Sequence, residues 1–118
     1  MNKYSVYAWL DDLQMSTQLA KFTNLYSYDL NFFGDDVTIY EITNPTVLIV
    51  DLLRLSKNDL NNLLNLPKTK LLTIIGYLHE ISGSKVKYFN DYGCHMVLGR
   101  NELLKNLNSI LKKIFHAD

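Results

Sequence analysis

The stretch TVLIVD at residues 46–51 decides the fold of this chain. It is short, rich in β-branched residues and free of charge until its last position, which is typical of a strand covered on both faces. Two other runs have the same character: VYAWL at 6–10, which leads into Asp11-Asp12, and LLTII at 71–75, which Gly76 closes. Strands of this kind belong to parallel sheets with helices on both sides.

Between these strands the apolar residues follow a helical period. Met15, Leu19, Phe22 and Tyr26 are spaced by four, three and four positions, and a wide apolar stripe runs through the last 15 or so residues. A half-buried strand at 28–32 and a fifth strand at 94–98 complete the alternation. Strand and helix alternation with right-handed crossovers predicts an α/β, flavodoxin-like fold: a doubly wound five-stranded parallel sheet of order 2-1-3-4-5.

Composition limits the size, the location and the partners. The chain has 118 residues, 12 basic and 12 acidic, and a single cysteine. We therefore expect one domain over residues 1–118, with no intramolecular disulfide. A formal net charge of zero disfavours direct nucleic-acid binding. The single cysteine and the absence of a signal-like start make a cytoplasmic location the expectation. No apolar run approaches the roughly 20 residues that span a bilayer, so we expect no membrane partner.

Acidic residues follow two of the buried strands. Asp11 and Asp12 end the first strand and Asp51 ends the third. In the predicted topology both strands end at the same edge of the sheet, where such folds carry their functional groups. Clustered carboxylates suit a hard cation such as magnesium, and one of them can act as a nucleophile toward phosphate. The competing interpretation is that each aspartate only caps the helix that follows it.

In these residues the chain resembles a bacterial response-regulator receiver domain. The resemblance rests on VYAWL running into Asp11-Asp12, on VLIVD ending at Asp51, and on Gly93-Cys94, where receivers have a Gly-Ala turn before strand 5. It implies that Asp51 accepts phosphate from a histidine kinase. It also implies that Asp11, Asp12 and Asp51 hold magnesium, with the backbone carbonyl of Leu53 completing the metal shell.

The chain also departs from the receiver pattern. Gly76 stands where strand 4 of a receiver ends in Ser or Thr, so the usual phosphate-contacting hydroxyl is missing. Val97 replaces an aromatic residue on strand 5. Arg100 replaces the phosphate-contacting lysine, which keeps the charge but changes the shape of the donor. These departures indicate an atypical receiver. The aspartates expected to bind the metal are present, but the residues that couple phosphorylation to a change of shape are altered.

The sequence alone leaves three functions open. The first, which we expect, is a non-enzymatic signalling module that works through protein–protein interaction, without phosphorylation, and forms a homodimer through strand 5 and the last helix. The second is a conventional magnesium-dependent receiver that a histidine kinase phosphorylates on Asp51 and a downstream effector reads. The third is a small metal-dependent phosphoryl-transfer enzyme that uses the same pocket.

Overall fold

Five parallel strands form one sheet of order β2-β1-β3-β4-β5 in the computed structural model, which describes residues 4–33 and 38–116. The strands are β1 (Ser5–Trp9), β2 (Asp29–Phe32), β3 (Thr46–Asp51), β4 (Leu72–Leu78) and β5 (Met96–Gly99). The helices are α1 (Leu13–Tyr26), α2 (Lys57–Leu64), α3 (Gly83–Asp91) and α4 (Arg100–Phe115). The predicted fold class and strand order are confirmed.

Two hydrophobic cores cover the sheet, one on each face. On one face α1 and α4 pack their apolar stripes against side chains such as Ile49 and Ile75. On the other face α2 and α3 pack against the alternate residues, including Leu48 and Val50. All six residues of β3 are buried, because helices lie on both sides of this central strand. The uninterrupted apolar run that predicted β3 is a direct result of this double coverage.

Helix α2 begins as its sequence predicts. The Ser56 hydroxyl accepts a hydrogen bond from the Asp59 backbone N–H, and the Asp59 carboxylate accepts one from the Ser56 N–H, which makes a capping box. The two aspartates at 35 and 36 can cap a helix, so the sequence also predicts a short helix over residues 37–42. A 3-10 helix occupies Thr38–Glu41, while Val37 lies outside the described residues. No helix in the described ranges is both long and apolar enough to cross a bilayer.

Strand β4 differs from its prediction. Gly76 was expected to close it, yet β4 continues through Gly76 to Leu78. Glycine inside a strand often marks a close approach of another group, and here that group is Leu52. A Cβ added to Gly76 would lie 2.5 Å from one Leu52 methyl carbon and 2.8 Å from its Cγ. Gly76 therefore serves packing in the middle of a strand, where its missing side chain makes room for Leu52.

We predict that Gly76→Ala destabilises the protein by about 1–3 kcal/mol, because the new methyl group overlaps the buried Leu52 side chain. Chemical denaturation of the single variants and of the double variant Gly76→Ala/Leu52→Ala will measure this. The double variant should be more stable than the sum of the two single effects predicts.

Gly83→Ala is the matched control, since no atom lies within 4 Å of its added Cβ. Gly83 opens α3, so alanine there should be neutral or slightly stabilising. Equal effects at positions 76 and 83 would contradict the packing account of Gly76.

Candidate functional site

The site lies where the carboxyl ends of β1, β3 and β4 meet. These strands are neighbours in the sheet, so the residues that follow or end them come together. Asp12 stands just before α1, Asp51 is the last residue of β3, and Tyr77 of β4 pairs with Asp51 in the register. Arg100, the first residue of α4, reaches the same edge.

Asp12 is the most heavily bonded carboxylate of the site. It caps α1, and its Oδ1 accepts a hydrogen bond of 3.1 Å from the Met15 backbone N–H. The Tyr77 hydroxyl donates to Oδ2 at 3.0 Å. Arg100 binds both oxygens, with Nε 2.8 Å from Oδ2 and Nη2 3.0 Å from Oδ1. Asp12 therefore acts as a cap, as the competing interpretation expected, and as one half of a two-point ion pair.

The Arg100–Asp12 ion pair is well shielded from solvent. The two side chains are only 19% and 11% exposed. The hydrogen bonds from Arg100 hold the pKa of Asp12 well below its usual range, against the opposing effect of burial. A further hydrogen bond of 3.1 Å from Nη2 to the Gln14 side-chain oxygen orients the guanidinium. Asp12 and Gln14 thus engage the Nε and Nη2 donors of Arg100.

Asp51 has a different environment from Asp12. It is 6% exposed, and its Oδ1 accepts a 3.2 Å hydrogen bond from the Leu53 N–H at the start of a short 3-10 turn, Leu52–Arg54. Burial raises the pKa of Asp51, partly opposed by the Leu53 hydrogen bond and by the charge of His79. The negative charge of Asp12 also raises it.

Asp11 does not enter the site. Its side chain is 82% exposed and pairs with Arg54 at 3.1 Å on the surface. Exposed pairs of this kind contribute little to stability. The structure therefore brings together two of the three predicted acids, Asp12 and Asp51, and leaves Asp11 at the rim.

Tyr77 is the residue of β4 that faces the acids, one position beyond the predicted Gly76. Gly76 pairs with Val50 and faces Leu52, on the other side of the sheet from Asp51. The Tyr77 side chain is fully buried, and burial raises its pKa, helped by the charge of Asp51 and by its hydrogen bond to Asp12. A neutral tyrosine hydroxyl thus stands beside both carboxylates.

Two residues of the site were not predicted from the sequence, and one signal could have revealed the first. Tyr77 follows Ile75 by two positions, so strand alternation places both side chains on the same face once Gly76 is taken as part of the strand. No signal pointed to Gln14, because a polar residue in the first turn of a helix is ordinarily solvated.

Val97, which stands where a receiver has an aromatic residue on strand 5, is buried in the core beside α2 and α3.

The donor set does not fit the predicted magnesium centre. Both oxygens of Asp12 already bind Arg100, and a cation would have to displace that guanidinium. The Leu53 N–H donates to Asp51, and the predicted role of the Leu53 backbone carbonyl in a metal shell stays a prediction. Among the residues that the structure describes, no three Asp, Glu, His or Cys side chains come together as metal ligands. The protein instead places its own cation, Arg100, against Asp12.

Comparison with known proteins supports the fold. No protein-family model matches the sequence, and no curated protein matches it. Among solved structures, the chain is similar to a crystal structure of a candidate pilus assembly protein (cpaE) from Burkholderia thailandensis, with a TM-score of 0.64 and 19% sequence identity. The match covers 97% of this chain and 98% of that chain. At this identity the likeness shows the α/β fold and leaves the function open.

We predict that Asp12→Asn lowers the free energy of unfolding at pH 7 by about 2 kcal/mol, because Arg100 loses a shielded, charge-assisted partner. The loss should shrink as the pH falls below about 4. The pKa of Asp12 is lowered by folding, so its contribution is present above the unfolded pKa and is lost as the unfolded state takes up the proton.

Asp11→Asn is the matched control, one residue away with the same change of charge. Its exposed pair with Arg54 should contribute less than about 0.5 kcal/mol. Urea denaturation of both variants at pH 7 and pH 3 gives the comparison. A loss for Asp11→Asn as large as that for Asp12→Asn would contradict the assignment of the shielded pair.

Proposed function

We propose that this chain is an atypical receiver-like signalling domain that acts by binding a protein partner, without phosphorylation of Asp51. The observation that carries this proposal is the two-point ion pair between Arg100 and Asp12. A working receiver needs an acidic pocket that accepts a cation and a free basic side chain that contacts the phosphoryl group. Here the basic side chain and the acidic group are bound to each other.

The surroundings of Asp51 support the same proposal. The residue is nearly buried, and its neighbour on β4 is the bulky Tyr77, which is hydrogen-bonded to Asp12. Burial raises the pKa of Asp51 and so disfavours the carboxylate that would attack a phosphodonor. A phosphoryl group on Asp51 would add negative charge beside Asp12 while Arg100 is already engaged. Each of these features lowers reactivity at Asp51.

Two observations favour a role in protein binding. The structural neighbour is described as a pilus assembly protein, so a domain of this fold and length occurs in a protein of macromolecular assembly. Two apolar side chains beside the site are exposed, Leu13 at 84% and Leu53 at 59%, next to the exposed Asp11–Arg54 ion pair. Leucines at this level of exposure are available to a protein partner, which would bury them together with the adjacent ion pair.

The test is to incubate the protein with magnesium and acetyl phosphate and to follow its intact mass. We expect no phosphoryl adduct on the native chain, because Arg100 blocks the cation and Tyr77 restricts access. Arg100→Ala is the informative variant, since it frees the Asp12 carboxylate for a cation. A magnesium-dependent adduct that appears only in this variant would support the proposal directly.

The remaining outcomes separate the alternatives. A stable adduct on the native chain that disappears in Asp51→Asn would overturn the proposal and favour a conventional phosphoacceptor. Continuous release of phosphate over many turnovers would favour a phosphoryl-transfer enzyme. Magnesium titrations followed by tyrosine fluorescence provide a second readout. A saturable change in the fluorescence of the native protein would contradict the proposal that Arg100 prevents the cation from binding.

A further inference from the structure

A pocket with lysine and histidine in its walls lies at the opposite edge of the sheet from Asp12. It has a volume of about 450 Å³ and is bordered by the segment that precedes β4, by the end of α3 and by the turn that leads into β5. Since β4 and β5 both begin beside it, this pocket is at the amino ends of the strands. The residues that surround Asp12 and Asp51 take no part in it.

Positive charge dominates the walls of this pocket. Lys68 and Lys70 both line it, and no Asp or Glu belongs to the described residues of the lining. Within residues 4–33 and 38–116, neither lysine makes an ion pair. The Lys68 ammonium folds across the turn, since its Nζ lies 3.4 Å from the point that a Cβ on Gly93 would occupy. Gly93 has a φ of +108°, so glycine suits the turn and leaves space for the lysine.

His95 adds a hydrogen-bond donor to the pocket, and its own hydrogen bonds determine which ring nitrogen carries the proton. Its Nδ1 accepts a hydrogen bond of 2.9 Å from the Ile74 backbone N–H, and its own backbone N–H donates to the Ile74 carbonyl at 2.8 Å. Because Nδ1 is an acceptor, the neutral ring carries its proton on Nε2. Partial burial and the nearby Lys68 lower the pKa of His95, which favours the neutral ring.

The pocket also has an apolar side. Ile74 and Cys94 are buried residues of the lining, and Pro67 lies beside them. Burial raises the pKa of the Cys94 thiol to about 12, so it contributes a neutral surface. A volume of this size is in the range of small-molecule sites, which combine an apolar wall with a few placed polar groups.

We infer that this pocket binds a small organic phosphomonoester. Lys68 and Lys70 supply two charges for the phosphate dianion, the His95 Nε2–H supplies a directed donor, and the apolar wall receives the organic part. Lysine binds phosphate as a compact point charge, which suits an open rim. A nucleic-acid strand is a poorer fit, because the chain has no net charge and only two lysines line the pocket.

The test is an amide NMR titration of the full chain with ribose 5-phosphate, inorganic phosphate and ribose at constant ionic strength set with sodium chloride. We expect saturable shifts at the amides of Gly93, Cys94 and His95. Ribose 5-phosphate should bind more tightly than inorganic phosphate, and ribose alone should give no shift. Lys68→Gln should weaken binding about tenfold through the loss of one charge-assisted contact.

Lys85→Gln is the matched control, because it removes the same charge from the exposed face of α3, away from the lining. The spectrum of each variant also confirms that it is folded. The inference is overturned if the shifts equal those caused by chloride, if Lys68→Gln and Lys85→Gln bind alike, or if only polyanions bind. Because Asp51 lies at the other edge, these results are independent of the phosphorylation experiment.

Discussion

The carboxylate of Asp12 holds together three parts of the chain that are distant in sequence. Tyr77 and Arg100, which bind it, are 65 and 88 positions away. Through these contacts Asp12 connects the start of α1 to the end of β4 and to the start of α4, so it joins the sheet to two helices on one face. A carboxylate so shielded from water is unfavourable without partners, and this arrangement depends on its donors being present together.

Much of the fold could be predicted because the sheet is covered on both faces. Double coverage produces uninterrupted apolar strands such as 46–51, and the handedness of crossovers then restricts their order. The end of β4 was harder to predict, because a glycine can either end a strand or lie inside it. Gly76 resembles a strand end in sequence, but it is an internal residue that accommodates Leu52. Because the strand was expected to end at Gly76, the site residue on β4 was expected at Gly76, whereas the structure places Tyr77 there.

The candidate site was harder to predict than the fold because it depends on side-chain partners. Strand order is enough to place Asp12 and Asp51 at one edge. Sequence could not show that Arg100 binds Asp12 with two hydrogen bonds, since this requires the positions of α1 and α4 relative to each other. The same partner explains why two neighbouring aspartates have opposite shifts: the pKa is lowered in the one that Arg100 binds and raised in the other.

The Arg100–Asp12 pair also determines how a change at Asp51 could affect the rest of the domain. A ligand or modification shifts a conformational equilibrium only by its difference in affinity for the two states. If Arg100 turned toward a phosphoryl group on Asp51, it would leave Asp12 charged, shielded and short of a partner, which costs on the order of 2 kcal/mol. The new contact would have to exceed that cost before any shape change followed. The resting arrangement is therefore favoured by the same bonds that a phosphorylation switch would need to break.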